Sequence, residues 1–244
     1  FQKAVKAING MNVDLVIAMG DLVSSCGSNC TNKLNNWKKT LGKLASVIYP
    51  VQGNHDRTEG SKSDKAWRES FSLPANGPKE FKELVYSFDY KNSHFVILAS
   101  DNPEEHLINS VQRSWLEKDF ASNKKENIFV FFHEPAYPVS SKVGESLDVN
   151  PKERNALWNI LKAYKVTAVF NGHEHIHSRR RIDGIYQFVF GNTDSSNHDL
   201  PKAGMAEYAY RGKSFGIVKV EGRKITVEVY SVEGKLINSF TFSN

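Results

Sequence analysis

The sequence predicts one α/β domain over residues 1–244: a β-sandwich with flanking helices, mixed or parallel at its centre and antiparallel towards its C-terminus. Three observations carry that expectation. Short apolar runs at 15–19 (LVIAM), 128–132 (IFVFF) and 166–170 (VTAVF) suit strands buried on both faces. Amphipathic stretches of helical period separate them. Beyond residue 179 the turn pairs Asp183-Gly184, Glu221-Gly222 and Glu233-Gly234 punctuate short segments, as in an antiparallel sheet.

The elements follow in order. Residues 1–14 read as helix, not as a secretory leader, which would pair a basic start with an apolar middle. No initiator Met precedes them, so a fragment or processed form is expected. Strand 15–19 runs into Gly20-Asp21. Residues 33–44 place Leu34, Trp37, Leu41 and Leu44 at helical spacing. Strand 46–51 ends at Gly53, and a short helix is expected over 63–72. Segments 86–90 and 94–98 flank a Lys91-Asn92-Ser93 hairpin turn. Residues 111–121 carry Val111, Trp115, Leu116 and Phe120 on one helical face. Strand 128–132 ends at His133. Pro151 suits the first turn of a helix over 152–164, and strand 166–170 ends at Asn171-Gly172.

A chain of 244 residues can bury a substantial core. No apolar run approaches the roughly 18 residues of a membrane-spanning helix. The formal net charge of +5 suits anionic substrates. Apart from Arg179-Arg180-Arg181 the basic residues are scattered, without the basic stripe and stacking aromatics that nucleic acid requires. Cys26 and Cys30 are compatible with a short-loop disulfide, which implies an oxidising, extracytoplasmic compartment, and equally with two free thiols. No second Cys or His pair has spacing for a zinc site with them.

Four motifs carry the chemistry: Gly20-Asp21, Gly53-Asn54-His55-Asp56, His133-Glu134-Pro135 and Gly172-His173-Glu174-His175. Each follows a strand-like run, and ligands of open α/β folds gather beyond the carboxyl ends of strands. Singly, the first three read more readily as turn or polar structural chemistry, whereas two histidines two apart after a glycine turn already suit metal binding. Their coincidence in one order points to a metal centre, because carboxylate, amide oxygen and imidazole suit Mn, Fe, Zn or Ni. In an extended segment His173 and His175 would project to the same side.

These motifs resemble four of the five blocks of the calcineurin-like metallophosphoesterases, over residues 1–195. Gln112-Arg113-Ser114-Trp115-Leu116 is similar to the helix before the family's third metal-binding block. The resemblance implies a four-layer β-sandwich flanked by helices, and a phosphohydrolase that cleaves phosphomonoesters or phosphodiesters by attack of a metal-bound hydroxide. Two divalent or trivalent ions are implied. Asp21 matches the bridging carboxylate, Asn54, His133 and His173 match ligands of the second ion, and His175 matches a ligand of the first. His55 matches the histidine that contacts the phosphate and protonates the leaving oxygen, and Asp56 the acid that orients it.

The chain departs from the pattern in two places. The family's Asp-x-His block, on its first strand, is absent, so a domain lacking that strand, with reduced core burial and a weak first metal site, is expected. Purple acid phosphatases, a branch of the family, carry a Tyr three residues after the bridging Asp; Ser24 stands there. The stretch 172–179 is similar to their last block, with His177 replacing its Tyr. His177 is expected either to line the pocket or to lie on the surface. Alternation on a strand would turn Arg179 and Arg181 to one face and Arg180 to the other, with one of them a candidate phosphate contact. Asp101-Asn102 is expected to border the pocket, and residues 191–198 to form a flexible rim. A catalytically incompetent scaffold on the same fold is the competing reading, with a nuclease of the same superfamily third.

Overall fold

A computed structural model describes residues 1–57 and 62–244. In chain order the elements are α1 (Gln2–Asn9), β1 (Val16–Ala18), α2 (Cys30–Thr40), β2 (Ile48–Pro50), α3 (Lys62–Ser70), β3 (Tyr86–Tyr90), β4 (Ser93–Ile97), α4 (Ser110–Ser122), β5 (Asn127–Phe131), α5 (Pro151–Ala163), β6 (Ala168–Asn171), β7 (His177–Ile182), β8 (Ile185–Phe190), β9 (Tyr208–Tyr210), β10 (Ser214–Glu221), β11 (Lys224–Ser231) and β12 (Leu236–Ser243).

Seven strands make one mixed sheet in the order β3-β4-β5-β6-β8-β7-β9. Its centre, β4-β5-β6-β8, is parallel, and β3 and β7 join it antiparallel. Parallel neighbours need a crossover, and α4 and α5 supply it between β4, β5 and β6. β1 and β2 form a separate parallel pair, and β10-β11-β12 an antiparallel three-stranded sheet. This mixed α/β architecture with an antiparallel C-terminal sheet matches the expected fold class.

Period-two alternation splits the central strands between two cores. Val96, Leu98, Ile128, Val130 and Val169 meet Leu116 and Phe120 of α4 and Leu157, Trp158 and Leu161 of α5. The intervening residues Phe95, Ile97, Phe129, Phe131, Phe170 and Phe188 face Ile225 and Val227 of β11, with Leu15, Ile17 and Met19 packed beside them. Rings stack along this second face from strand to strand: Phe131 to Phe170 at 5.2 Å and Phe170 to Phe188 at 5.3 Å between centroids. Each ring fully removed from water stabilises by about 1.5–3 kcal/mol, which locks the register of the strands that carry the site.

Local details differ from expectation where backbone chemistry intervenes. α2 begins at Cys30 and stops at Thr40, because Gly42 adopts φ +57°, outside the right-handed helical region. The hairpin turn is the pair Lys91-Asn92, with Ser93 already paired to Tyr90. α4 starts where Asn109 Oδ1 accepts the Gln112 N–H at 3.2 Å, a side-chain N-cap. Cys26 and Cys30 are joined by a disulfide, which resolves the open choice between bridge and free thiols. Among the described residues no helix is long and apolar enough to cross a membrane.

Candidate metal centre

Four strand ends bring the motif residues together. Asp21 follows β1, Asn54 and His55 follow β2, His133 follows β5 and His173 follows β6. Close backbone approach makes this feasible. Gly20 has φ +92°, and a Cβ there would run into His133 Nδ1; a Cβ on Gly53 would meet the Asp21 carboxylate. Only glycine lets these loops touch at both points.

His133 is the pivot. It is buried, and its Nδ1 lies 2.6 Å from the Met19 carbonyl oxygen. A carbonyl only accepts, so Nδ1 carries the hydrogen and Nε2 is left to face the site. There it meets Asn54 Oδ1 at 3.1 Å and Asp21 Oδ2 at 3.3 Å. A neutral imidazole would thus point a lone pair at two electron-rich oxygens. The arrangement is favourable only with a cation, proton or metal, among the three. Asp21, His133 and His173 each offer a ligand atom within 4.8 Å of the others.

The electrostatics of the group agree. Burial opposes charge on His133, but the adjoining Asp21 carboxylate outweighs it and pushes the pKa up to about 9. Burial likewise acts upward on Asp21, yet His133 and the hydrogen bonds at the carboxylate hold it well below the usual range. His173 is pushed down to about 3 by burial and by the charge on His133.

The segment 172–176 is not extended. His173 sits at φ +63°, and the Glu174 and Ile176 N–H groups each donate to the carbonyl two residues back at 2.7 Å, as in successive γ-turns. The two histidines therefore do not project in parallel. His173 Nε2 contacts the Glu145 carbonyl at 2.9 Å. His175 Nδ1 contacts the Ser196 carbonyl at 2.9 Å, and its ring stacks on His198 at 4.2 Å. His175 stands outside the tight group of three.

Asp56 and His55 also part company. Asp56 is completely buried and its carboxylate accepts three backbone N–H groups: Leu22 at 2.8 Å, Val23 at 3.2 Å and Gly53 at 2.9 Å. It clamps the two ligand loops to each other. Burial and then the Asp21 charge raise its pKa to about 7 against those donors. The exposed His55 ring is instead held by Nδ1 against the Ser24 carbonyl at 2.8 Å. In place of the expected Asp56–His55 contact, the Asp56 carboxylate engages these backbone N–H groups and the His55 ring engages Ser24.

The sequence model of the calcineurin-like phosphoesterase family matches residues 1–177. The chain belongs to this family. Among curated proteins of the family it is 26% identical over 160 residues to purple acid phosphatase 23 of Arabidopsis thaliana, covering 63% of this chain and 33% of that protein. It is 23% identical over 180 residues to a cAMP/cGMP dual specificity phosphodiesterase of Mycobacterium tuberculosis, covering 72% and 53%. The solved purple acid phosphatase of yellow lupin seeds superposes with TM-score 0.84 at 19% identity, over 99% of this chain and 49% of the lupin one. The chain spans about a third of the length of the first of these relatives.

A calcineurin-like phosphoesterase implies divalent metal ions, and the donor set fits that demand. Asp21, Asn54, His133 and His173 supply a carboxylate, an amide oxygen and two imidazoles around the point that Nε2 of His133 already faces. Asp21, Asn54, His133 and His173 thus converge, and His175 lies outside that group.

The remaining expected residues lie elsewhere. His177 is neither pocket lining nor surface: it is buried in the sheet, Nδ1 on the Val189 carbonyl at 2.9 Å, and burial pushes its pKa down to about 4. Arg179 and Arg180 do take opposite faces. Arg179 lies over Phe240 at 3.6 Å and pairs with Glu207, whereas Arg180 lies over Tyr137 at 5.7 Å. The 191–198 loop is cross-linked by Asn192, which donates to Ser195 O and Asn197 Oδ1.

Sequence reading missed His198, whose Nδ1 accepts the His175 N–H at 3.0 Å. It also missed Glu145, a ring partner through its backbone alone. Neither carries a motif; only the rim position of 191–198 hinted at the first. Glu174, inside a motif but given no role, is completely buried and accepts the Val139 and Ser140 N–H groups, anchoring the 139–140 segment beneath His173.

Proposed function

We propose that the protein is a metal-dependent phosphohydrolase acting on phosphomonoesters or phosphodiesters. The observation that carries this reading is the convergence of His133 Nε2 on Asn54 Oδ1 and Asp21 Oδ2, with Nδ1 already committed to Met19. Bound there, divalent ions would neutralise phosphate charge and lower the pKa of a bound water into the working range.

The chain's own residues divide the remaining work. The His55 N–H donates to Asp21 Oδ1 at 2.9 Å, which fixes that carboxylate with Oδ2 towards His133. The Ser24 carbonyl commits Nδ1 of the exposed His55 ring and leaves Nε2 free to meet a phosphate. In its protonated form His55 can donate from Nε2 to the departing alkoxide. Asp56 holds the Asp21 and His55 loops at a constant separation. The names of the relatives, a purple acid phosphatase and a cyclic-nucleotide phosphodiesterase, support ester hydrolysis without choosing between the two ester classes. The Cys26–Cys30 bridge supports an oxidising, extracytoplasmic setting.

The test is hydrolysis of p-nitrophenyl phosphate and bis(p-nitrophenyl) phosphate with Mn²⁺, before and after chelation. Turnover of either ester that disappears with the metal supports the proposal. Folded, metal-loaded protein inert towards both would favour a scaffold role instead.

A further inference from the structure

We propose a second cation site, built by Asp101, His106 and Glu134, separate from the Asp21–His133–His173 group and independent of the reading given to that group. One ligand atom from each of the three lies within 4.8 Å of the other two. His106 Nδ1 stands 2.8 Å from Glu134 Oε1 and 2.9 Å from Oε2. Two atoms that bind one ion at about 2.0–2.2 Å are themselves about 3 Å apart. The spacing therefore needs little adjustment to receive one.

The charge balance calls for an added cation, a proton or a metal ion, and the unpartnered oxygen favours the metal ion. Asp101 is 1% exposed and Glu134 is 0% exposed. Asp101 Oδ2 accepts from the Ser100 hydroxyl at 2.8 Å, but Oδ1 is buried with no hydrogen-bond partner. Among the described residues no Lys or Arg forms an ion pair with either carboxylate; the ion-pair partner of Glu134 is His106, and Asp101 has none. Two buried carboxylates facing a single imidazole are under-compensated, and unpaired buried charge is costly. A divalent ion supplies the missing charge and a partner for the orphan oxygen.

The backbone is shaped around the same point. His106 holds φ +59°, a left-handed conformation uncommon for a side chain of its size. The Leu107 N–H donates to the Ser100 carbonyl at 2.8 Å, which closes the 100–107 loop and returns His106 over Asp101. Asn150 Nδ2 donates to the His106 carbonyl at 3.2 Å, and the Glu134 N–H donates to Ser100 Oγ at 3.1 Å. Three segments distant in sequence are thus drawn to one spot. An imidazole with two carboxylates suits Zn²⁺ or Mn²⁺; Ca²⁺ and Mg²⁺ favour oxygen-only shells. Glu134 follows His133 directly, so an ion held here would also brace the strand end that carries His133.

The experiment counts Zn²⁺ per chain by mass spectrometry after loading and dialysis. Asp101→Asn and His106→Gln should each bind one ion fewer than the wild type. His173→Ala should perturb the other centre, and its combination with His106→Gln should lose ions additively. Circular dichroism and a cooperative melt establish that each variant is folded. An unchanged count in folded Asp101→Asn and His106→Gln overturns the proposal. So does a higher Tm for Asp101→Asn at constant ion count, which would reveal a proton shared between the two carboxyls. Anomalous diffraction from wild-type crystals soaked in ZnCl₂ needs no variant: a peak among the three side chains is the expected result, and its absence there overturns the site.

Discussion

His55 Nδ1 rests 2.8 Å from the carbonyl oxygen of Ser24, while the neighbouring Asp56 carboxylate is spent on backbone N–H groups. A main-chain group therefore sets the tautomer of the one exposed histidine in this motif. Ser24 contributes its backbone carbonyl to this contact.

His55→Ala should retain metal and lose turnover by about 10²–10⁴-fold, the usual worth of a general acid. Steady-state kinetics on a nitrophenyl ester, paired with metal analysis, checks this. Unchanged kcat would remove the acid role from His55.

His133→Ala removes the residue on which the site converges and leaves Asp21 and Asn54 without an imidazole between them. Loss of metal affinity of at least about 10–100-fold is expected, since even outer hydrogen-bond partners are worth that much. Isothermal titration with Mn²⁺ is the measurement, and wild-type affinity would strike His133 from the candidate ligands.

Asp56→Asn keeps the shape but turns an amide N–H₂ towards at least one of the Leu22, Val23 and Gly53 N–H groups. Leaving one buried donor unsatisfied costs about 1–3 kcal/mol. Urea unfolding should show that loss, together with weaker metal binding, because the clamp sets the distance between the Asp21 and Asn54 loops. A purely catalytic defect at full stability would contradict the clamp.

Gly20→Ala tests the close approach. Left-handed backbone costs an L-residue about 1–2 kcal/mol, and the added Cβ collides with the His133 ring. Lower Tm and lower metal occupancy are expected together. A stable variant with normal occupancy would mean that the loop can retreat.

His94 links fold stability to pH away from the metal. It is buried between Asp89 and Asp119, each 2.7 Å from a ring nitrogen, with Ser87 also on Asp119 and Lys125 also near Asp89. Burial opposes its charge, but the two carboxylates prevail and raise its pKa above the ordinary value. The folded state thus binds the proton more tightly than the unfolded chain does. That stabilisation is complete below the unfolded value near 6.5 and fades as pH climbs through the raised folded value. Tm should fall above about pH 6.5 in the wild type and respond less in His94→Gln. Parallel slopes in the two proteins would dismiss the linkage.

The sheet was readable because its strands are unambiguous: IFVFF and VTAVF are too apolar to serve anything but a twice-covered strand, and the structure packs them between α4 with α5 on one side and β11 on the other. The motif positions were readable for the same reason, since each sits where such a run stops. The His173–His175 geometry was not. Alternation assumes extended backbone, and successive γ-turns with φ +63° at His173 swing the rings apart. The fate of Arg179 was hidden too, because its partners, Phe240 of β12 and Glu207 just before β9, lie far along the sequence.

By itself, then, the order of residues determined which strands form, where they end, and that Asp21, Asn54, His133 and His173 stand at those ends. These properties follow from local hydrophobicity and turn chemistry. Only the tertiary structure decided which nitrogen of His133 faces inward, that the Asp56 carboxylate clamps two loops, and that Asp101, His106 and Glu134 come within reach of one another. Each of these depends on a partner many residues away, and the direction of a ring or the solvation of a carboxylate is set by what packs against it.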